Sequence, residues 1–546
     1  MLVSNIHKHQ VSFIFENCII SFELINFLLF FVGYSHAQKS VSELHQTETQ
    51  SQTLVSDELD KSSSHTLGTG HRTKSGKSIL SGSKLNQIDG NKDDPKKVCL
   101  TKGCVRSASE LIKNMNESVD PCDDFYEFSC GGWVRNQIIP DDRTTVSVFS
   151  LLQDELNGKL RVLVESPGLE NEPKFFDSMR NLYKSCLNLT AIERTGDTPL
   201  HSALKKFGGW PVVVGKNWNT DFNWIETLIK FRELGFNHDI LIDLSVTPDF
   251  RNNTRYIIDL DQTALGMPDR NYLLRGFNDS AVSAYYKLMI DSAVFLGANR
   301  SIAEKEMLDA LQFETKLAEY SMPREERRNI SSLYNKMNLE NLSKLAPGID
   351  WNRFLSSLLG TTVHPEDEIV VNVPQFMTKI DVALQTTDRR TLANYMLWRV
   401  VFQSYPTMSK KWRDLLQEFN TVITGQPQEE PRWEQCVSSV TGSLSLAISS
   451  LYVRNHFKGD SKEKAMKMVS YIHHEFMQIL ETVEWMDDTT RQKAKAKAMA
   501  IKPYIGYPDE LLKNDEIENY YNGVRFVFYH YFYLFLLIIF FINFYS

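Results

Sequence analysis

A mainly α-helical fold with small β elements is what the sequence predicts, on three observations. Trp224, Ile225, Leu228 and Ile229 recur at helical spacing, Lys230 and Arg232 fall in the last turn, and Gly235 can take the left-handed conformation that ends the helix. Asp239 to Val246 and Arg255 to Leu260 are rich in β-formers, and the stretch Thr247 to Asn253 between them reads as the loop of a hairpin. From Ser301 onward helical patterns dominate. Asp487 and Asp488 precede a segment ending in Lys493, Lys495 and Lys497, with acids at the positive end of the helix dipole and bases at the negative end. No internal repeat is apparent, and ordinary core packing accounts for the apolar stripes.

The 546 residues are 42% hydrophobic, enough for a sizeable core and for several domains by length. A formal net charge of -8 offers no basic face for phosphate, so nucleic acid is excluded as a partner. Residues 1–37 have the outline of a targeting segment. Leu24 to Gly33 is a short apolar run, and Ser35 and Ala37 supply the small residues a signal peptidase reads. A cleaved signal peptide is one reading. The other is a signal anchor over Val11 to Tyr34, which would bring Glu16 and Glu23 into the bilayer. Either way the chain is expected in the secretory pathway, secreted or at the cell surface.

Residues 38–97 form a Ser/Thr/Lys/Gly-rich stretch with neither aromatic residues nor cysteine, and it is expected to be a disordered stalk. Gly70 to Ser78 resembles a phosphate-binding loop, but five residues rather than four separate Gly70 from Gly76 and no apolar strand precedes it. Linker composition is the reading adopted.

A dense stretch follows, Asp120-Pro121-Cys122-Asp123-Asp124-Phe125-Tyr126-Glu127-Phe128-Ser129-Cys130-Gly131-Gly132-Trp133. On a helix, Cys122 and Cys130 would stand about two turns apart, farther than a disulfide tolerates. Each then needs a partner elsewhere. If the segment is irregular, the two can bond each other, and the six cysteines outside the targeting segment can close three bridges among themselves.

This stretch resembles the opening signature of the neprilysin and endothelin-converting-enzyme family of zinc metallopeptidases. Ala264 to Leu274, Leu392 to Trp398 and Ile505 to Leu511 extend the similarity, which runs from about Val98 to about Tyr521. The resemblance implies a neprilysin-like two-lobed fold, incomplete at the carboxy terminus, with residues 98–521 as the amino-terminal domain of such a peptidase. It also implies disulfides Cys99–Cys104 and Cys186–Cys436, and partners for Cys122 and Cys130 near the family's carboxy terminus that this sequence does not contain. Asn116, Asn188, Asn252, Asn278, Asn299, Asn329 and Asn341 each begin Asn-x-Ser/Thr and are glycosylation candidates if the chain enters the secretory pathway.

A zinc peptidase of this kind needs His-Glu-x-x-His, whose i and i+4 imidazoles share one helix face while the glutamate activates the bound water. None of the 13 histidines has another four residues on; in His473-His474-Glu475-Phe476-Met477-Gln478 a glutamine takes the second histidine's place. No catalytic or metal-ligating residue is therefore assigned. Zinc is the cofactor expected of a full-length family member and not of this chain. Residues 522–546 depart from the family. Val524 to Ile542 is an aromatic and aliphatic run whose start, Val-Arg-Phe, can be encoded with a splice-donor sequence. It reads as translated intron, and alternatively as a transmembrane helix. Two functions are carried forward. One is the amino-terminal portion of a zinc metalloendopeptidase acting on extracellular oligopeptides, inactive as written. The other is a non-catalytic extracellular peptide-binding or decoy module.

Overall fold

The computed structural model describes residues 99–457 and 459–522. The expected targeting segment, the stalk and the tail beyond Asn522 lie outside the described residues. The fold is mainly helical, with one small sheet, as the sequence predicts. The chain divides into two compact units, the first drawing its described residues from 99–139, Val146–Gln153 and 459–508, the second from Pro140–Thr145, Asp154–Phe457 and 509–522.

In the first unit the opening signature is not one helix. Cys122 lies in a turn, and the helix Phe125–Asn136 begins after Asp124, whose carboxylate accepts the Glu127 N–H at 2.8 Å. The sequence argument that set Cys122 and Cys130 two helical turns apart therefore fails: Asp124 is the better cap, and Asp120 already holds the Cys122 N–H at 2.8 Å. Gly132 shows why the signature carries glycine. A Cβ there would come within 2.5 Å of the Met115 carbonyl oxygen, so only glycine lets this helix lie against the end of Lys102–Asn114. The disulfide Cys99–Cys104 joins the segment before that helix to its first turn. Farther on, Asp487 caps the helix Asp488–Met499 through the Thr490 N–H at 2.9 Å, as its charge pattern predicts. Arg491 of that helix donates to the carbonyls of Leu480, Val483 and Met486, closing the open end of the helix Gly459–Thr482.

The second unit contains the sheet. Its strands are β1 (Ile242–Asp249), β2 (Asn252–Gln262), β3 (Asn335–Asn338) and β4 (Glu368–Val371), in spatial order β1-β2-β4-β3. β1 and β2 are antiparallel, β2 and β4 parallel, β4 and β3 antiparallel. The hairpin is longer than the sequence suggests. Pairing continues to Asp249 opposite Asn252, with only Phe250 and Arg251 in the turn, and the extra residues of β2 are absorbed where the register shifts at Pro248 and Asp249. Pro248 led the sequence reading to break the strand too early; β1 is an edge strand, where a proline has no ladder partner to lose on its outer side. The helix Trp224–Glu233 is followed by Gly235 at φ 75°, as read, and is capped by Asn223, which the sequence reading did not name.

Two cores fill this unit. The larger surrounds the fully buried Trp210, Trp351, Trp398, Trp412, Tyr285, Tyr395 and Phe376. The smaller gathers Leu160, Phe176, Met179, Tyr183, Val437, Ile448 and Ile517, and the Cys186–Cys436 disulfide lies inside it. Among the described residues no single helix is long and apolar enough to cross a membrane.

Candidate functional site

The helix Gly459–Thr482 brings His474 and Gln478 together on one face, Nε2 to Nε2 at 3.0 Å. The backbone thus supplies the i, i+4 juxtaposition of a His-Glu-x-x-His helix. The donor set does not follow, because the second position is a carboxamide that bonds the first imidazole instead of sharing a metal with it. His473 is turned elsewhere, with its Nε2 2.9 Å from the Ala498 carbonyl oxygen. Among the described residues no group of three or more His, Cys, Asp or Glu could hold a metal ion. A catalytic zinc, which takes three protein ligands, does not fit these residues.

A cleft of about 580 Å³ lies in the second unit, lined by Asp249, Arg251, Asn252, Arg255, Tyr334, Lys336 and Glu368. Asp249, at the end of β1, is almost fully buried. It accepts hydrogen bonds from the Tyr334 hydroxyl (2.7 Å), the Arg251 N–H (2.9 Å) and Arg255 Nη2 (3.0 Å). The Tyr334 hydrogen bond above all holds this carboxyl well below the usual carboxylate range; burial opposes the shift, and the Arg251 and Arg255 bonds and the Lys336 charge reinforce it. Glu368 pairs with Arg255 at 2.5 Å and Lys336 at 2.8 Å. Arg251 stacks 4.7 Å over the Tyr334 ring. The cleft contains no serine, cysteine or histidine that could act as nucleophile or base. The charges of Asp249, Arg255, Lys336 and Glu368 are spent on one another, clasping the hairpin tip to β3 and β4. Of these residues the sequence reading singled out only Asn252, as a glycosylation candidate, and the cue it passed over was an acid beside proline at the end of a β-rich run.

A second buried cluster fixes the Ala264 to Leu274 motif. Glu314 is fully buried and accepts hydrogen bonds from the Gly266 N–H at 2.5 Å and the Tyr285 hydroxyl at 3.0 Å. A Cβ at Gly266 would overlap the Tyr285 hydroxyl. Arg399 stands 3.7 Å from Glu314 and donates to the Ala264 carbonyl oxygen (2.8 Å) and Tyr395 hydroxyl (3.0 Å). This network positions backbone and performs no evident chemistry.

His238 lies just before the sheet, and burial, with Arg232 as a nearby like charge, pushes its pKa down to about 4. Between about 6.5 and 4 the unfolded chain binds a proton that the folded chain does not, so this residue subtracts stability as pH falls through that window. The slope is at most about 1.4 kcal/mol per pH unit. Urea midpoints measured from pH 7 to pH 4 are expected to fall less steeply in His238→Asn than in the unmodified chain; parallel curves would refute this.

Of the other residues singled out, Cys122 is exposed and Cys130 half-buried, both as thiols. Phe125 and Tyr126 are exposed and Phe128 and Trp133 half-buried. Six of the sequon asparagines are exposed: Asn188, Asn252, Asn278, Asn299, Asn329 and Asn341. Asn116 is half-buried and its Nδ2 donates to Glu127 at 2.8 Å.

The family model described as Peptidase family M13 matches residues 121–508. The chain is 40% identical over 447 residues to Neprilysin-2 of Drosophila melanogaster, a match covering 79% of this chain and 58% of that protein. It is 34% identical over 446 residues to Membrane metallo-endopeptidase-like 1 of Homo sapiens, covering 79% and 57%. The chain thus spans little more than half the length of these relatives. Among solved structures, zinc metalloprotease ZMP1 of Mycobacterium tuberculosis in complex with inhibitor superposes with a TM-score of 0.61 at 22% identity, over 74% of this chain and 62% of that one. The Haemonchus galactose containing glycoprotein complex gives 0.60 at 19% identity, over 77% and 60%. At these identities the two superpositions speak to the fold alone.

Proposed function

The chain belongs to peptidase family M13, and from that premise we propose that it carries the amino-terminal portion of a neprilysin-like zinc metalloendopeptidase of extracellular oligopeptides. Its own residues supply scaffold and no zinc centre. The observation that carries this reading is the match to peptidase family M13 over residues 121–508; in the helix Gly459–Thr482, whose His474 and Gln478 come nearest to the zinc pattern, a carboxamide meets the imidazole. His-Glu-x-x-His occurs nowhere in the 546 residues. The secretory assignment is supported by two disulfides, one of them in a core, and by exposed sequon asparagines.

The polypeptide as written is expected to bind no stoichiometric zinc and to hydrolyse no peptide. Metal analysis of the purified full chain, with quenched fluorescent oligopeptides as substrates, checks both. One tightly held zinc per chain, or hydrolysis abolished by a chelator, would sink the proposal. A second reading, a peptide-binding or decoy module, draws support from the second unit, which closes two cores and a disulfide within itself. Saturable binding of an oligopeptide without turnover would favour it.

A further inference from the structure

We propose that Asn252 carries an N-linked glycan whose first N-acetylglucosamine packs on the ring of Phe250 and shields the tip of the β1–β2 hairpin. The proposal rests on the secretory reading above. It begins from an exposed apolar patch on an edge strand. Among the described residues β1 has a neighbour on one side only, and its cross-strand pairs Val246 with Ile258 and Pro248 with Tyr256 share a face. On and beside that face Val246 is 48% exposed, Tyr256 60% and Phe250, in the turn, 72%. An uncovered edge of this composition invites pairing with another chain, and folded proteins cover such edges.

The means of covering it stands two residues away. In Asn252-Asn253-Thr254 the Thr254 hydroxyl donates to Asn252 Oδ1 at 2.6 Å, and the Thr254 N–H reaches the same oxygen at 3.3 Å. The carboxamide oxygen is thereby committed to a local ring, while Nδ2, the atom that takes the sugar, has no acceptor among the described residues. Asn116 has the same clamp from Ser118 at 2.6 Å, but its Nδ2 is taken by Glu127. Asn299 has the clamp from Ser301 at 2.7 Å, but Gly297 stands where Asn252 has Phe250. Phe277, beside Asn278, already packs edge-on against Tyr286. Only at Asn252 do an available Nδ2, a clamped oxygen and an unstacked exposed ring coincide.

The platform is rigid as well as near. Asp249 and Asn252 are paired across the turn, and the Tyr334, Arg251 and Arg255 hydrogen bonds to Asp249 hold that turn in place. The face of a pyranose, a row of C–H bonds, can lie on an aromatic ring while its hydroxyls stay in water. The contact removes exposed ring from solvent and needs little further ordering of the backbone.

The test uses the full chain translated into endoplasmic-reticulum microsomes, with glycopeptide mass spectrometry at each sequon. Asn252 is expected to be occupied. Asn252 empty while other sequons carry glycans overturns the proposal and leaves the secretory reading standing; all seven empty overturns both. The ring contact is read by chymotryptic nicking after residue 250. Endoglycosidase H, which leaves one N-acetylglucosamine, should leave the nicking rate low. Peptide N-glycosidase F, which removes it, should raise the rate roughly three- to tenfold, the factor that corresponds to one aromatic contact. In Phe250→Leu, still a chymotrypsin site, the two treatments should give equal rates. Equal rates in the unmodified chain, or undiminished protection in Phe250→Leu, would overturn the contact.

Discussion

Glu314→Ala is expected to destabilise the second unit by about 3 to 5 kcal/mol, the cost of leaving one partner of a buried ion pair alone. Glu314 has no exposed surface, and the Arg399 side chain is 9% exposed. Truncation leaves the guanidinium with the Tyr395 hydroxyl and the Ala264 carbonyl as its neutral partners, and strips the Gly266 N–H and Tyr285 hydroxyl of their acceptor. Against a typical net stability of about 5 to 15 kcal/mol, that is a large fraction. The measurement is the urea midpoint by circular dichroism, at unchanged slope. The double variant Glu314→Leu/Arg399→Met decides the cause. If the penalty is an orphaned charge, the double variant should recover much of the loss; if the pair's attraction is what stabilises the fold, it should be no better than Glu314→Ala.

That cluster also marks the limit of what the sequence discloses. Local signals were legible because they are set by nearest neighbours along the chain: Gly235 ends Trp224–Glu233, and Asp487 caps Asp488–Met499. The blocks Ala264 to Leu274 and Leu392 to Trp398 could be read as family signatures, yet nothing in their residue types shows that Glu314 and Arg399 hold the first in place. Their meaning is a contact between residues 48 and more apart. The hairpin failed for a related reason. Pro248 and Asp249 look like loop chemistry locally, and only Tyr334 and Arg255, supplied by other strands and loops, keep the chain extended to Asp249. The search for zinc ligands needed sequence alone, since His-Glu-x-x-His is a local pattern. The charged cleft did not announce itself, because its residues come from three separate stretches.

Replacing Cys186 and Cys436 together by alanine is expected to cost about 5 to 6 kcal/mol in the chain-entropy view, because the bond closes a loop whose ends are 250 residues apart. The same replacement of Cys99 and Cys104, five residues apart, should cost only about 2 kcal/mol. Location sharpens the contrast. Cys436 is fully buried and Cys186 nearly so, within the core of Phe176, Tyr183, Val440 and Ile448, whereas Cys99 is exposed. That core draws on residues from Leu160 to Cys186, Cys436 to Leu451 and Ile517, segments that must find each other across most of the chain. Without the cross-link the unfolded ensemble regains the freedom of the whole intervening stretch, and the small core alone has to offset it. A mild reductant under native conditions should therefore open Cys99–Cys104 first and leave Cys186–Cys436 closed until the second unit unfolds. Alkylation with mass mapping at increasing denaturant follows both bonds. Simultaneous release of the two, or equal denaturation midpoints for the oxidised chain and the Cys186→Ala/Cys436→Ala variant, would show that the smaller core holds together without its cross-link.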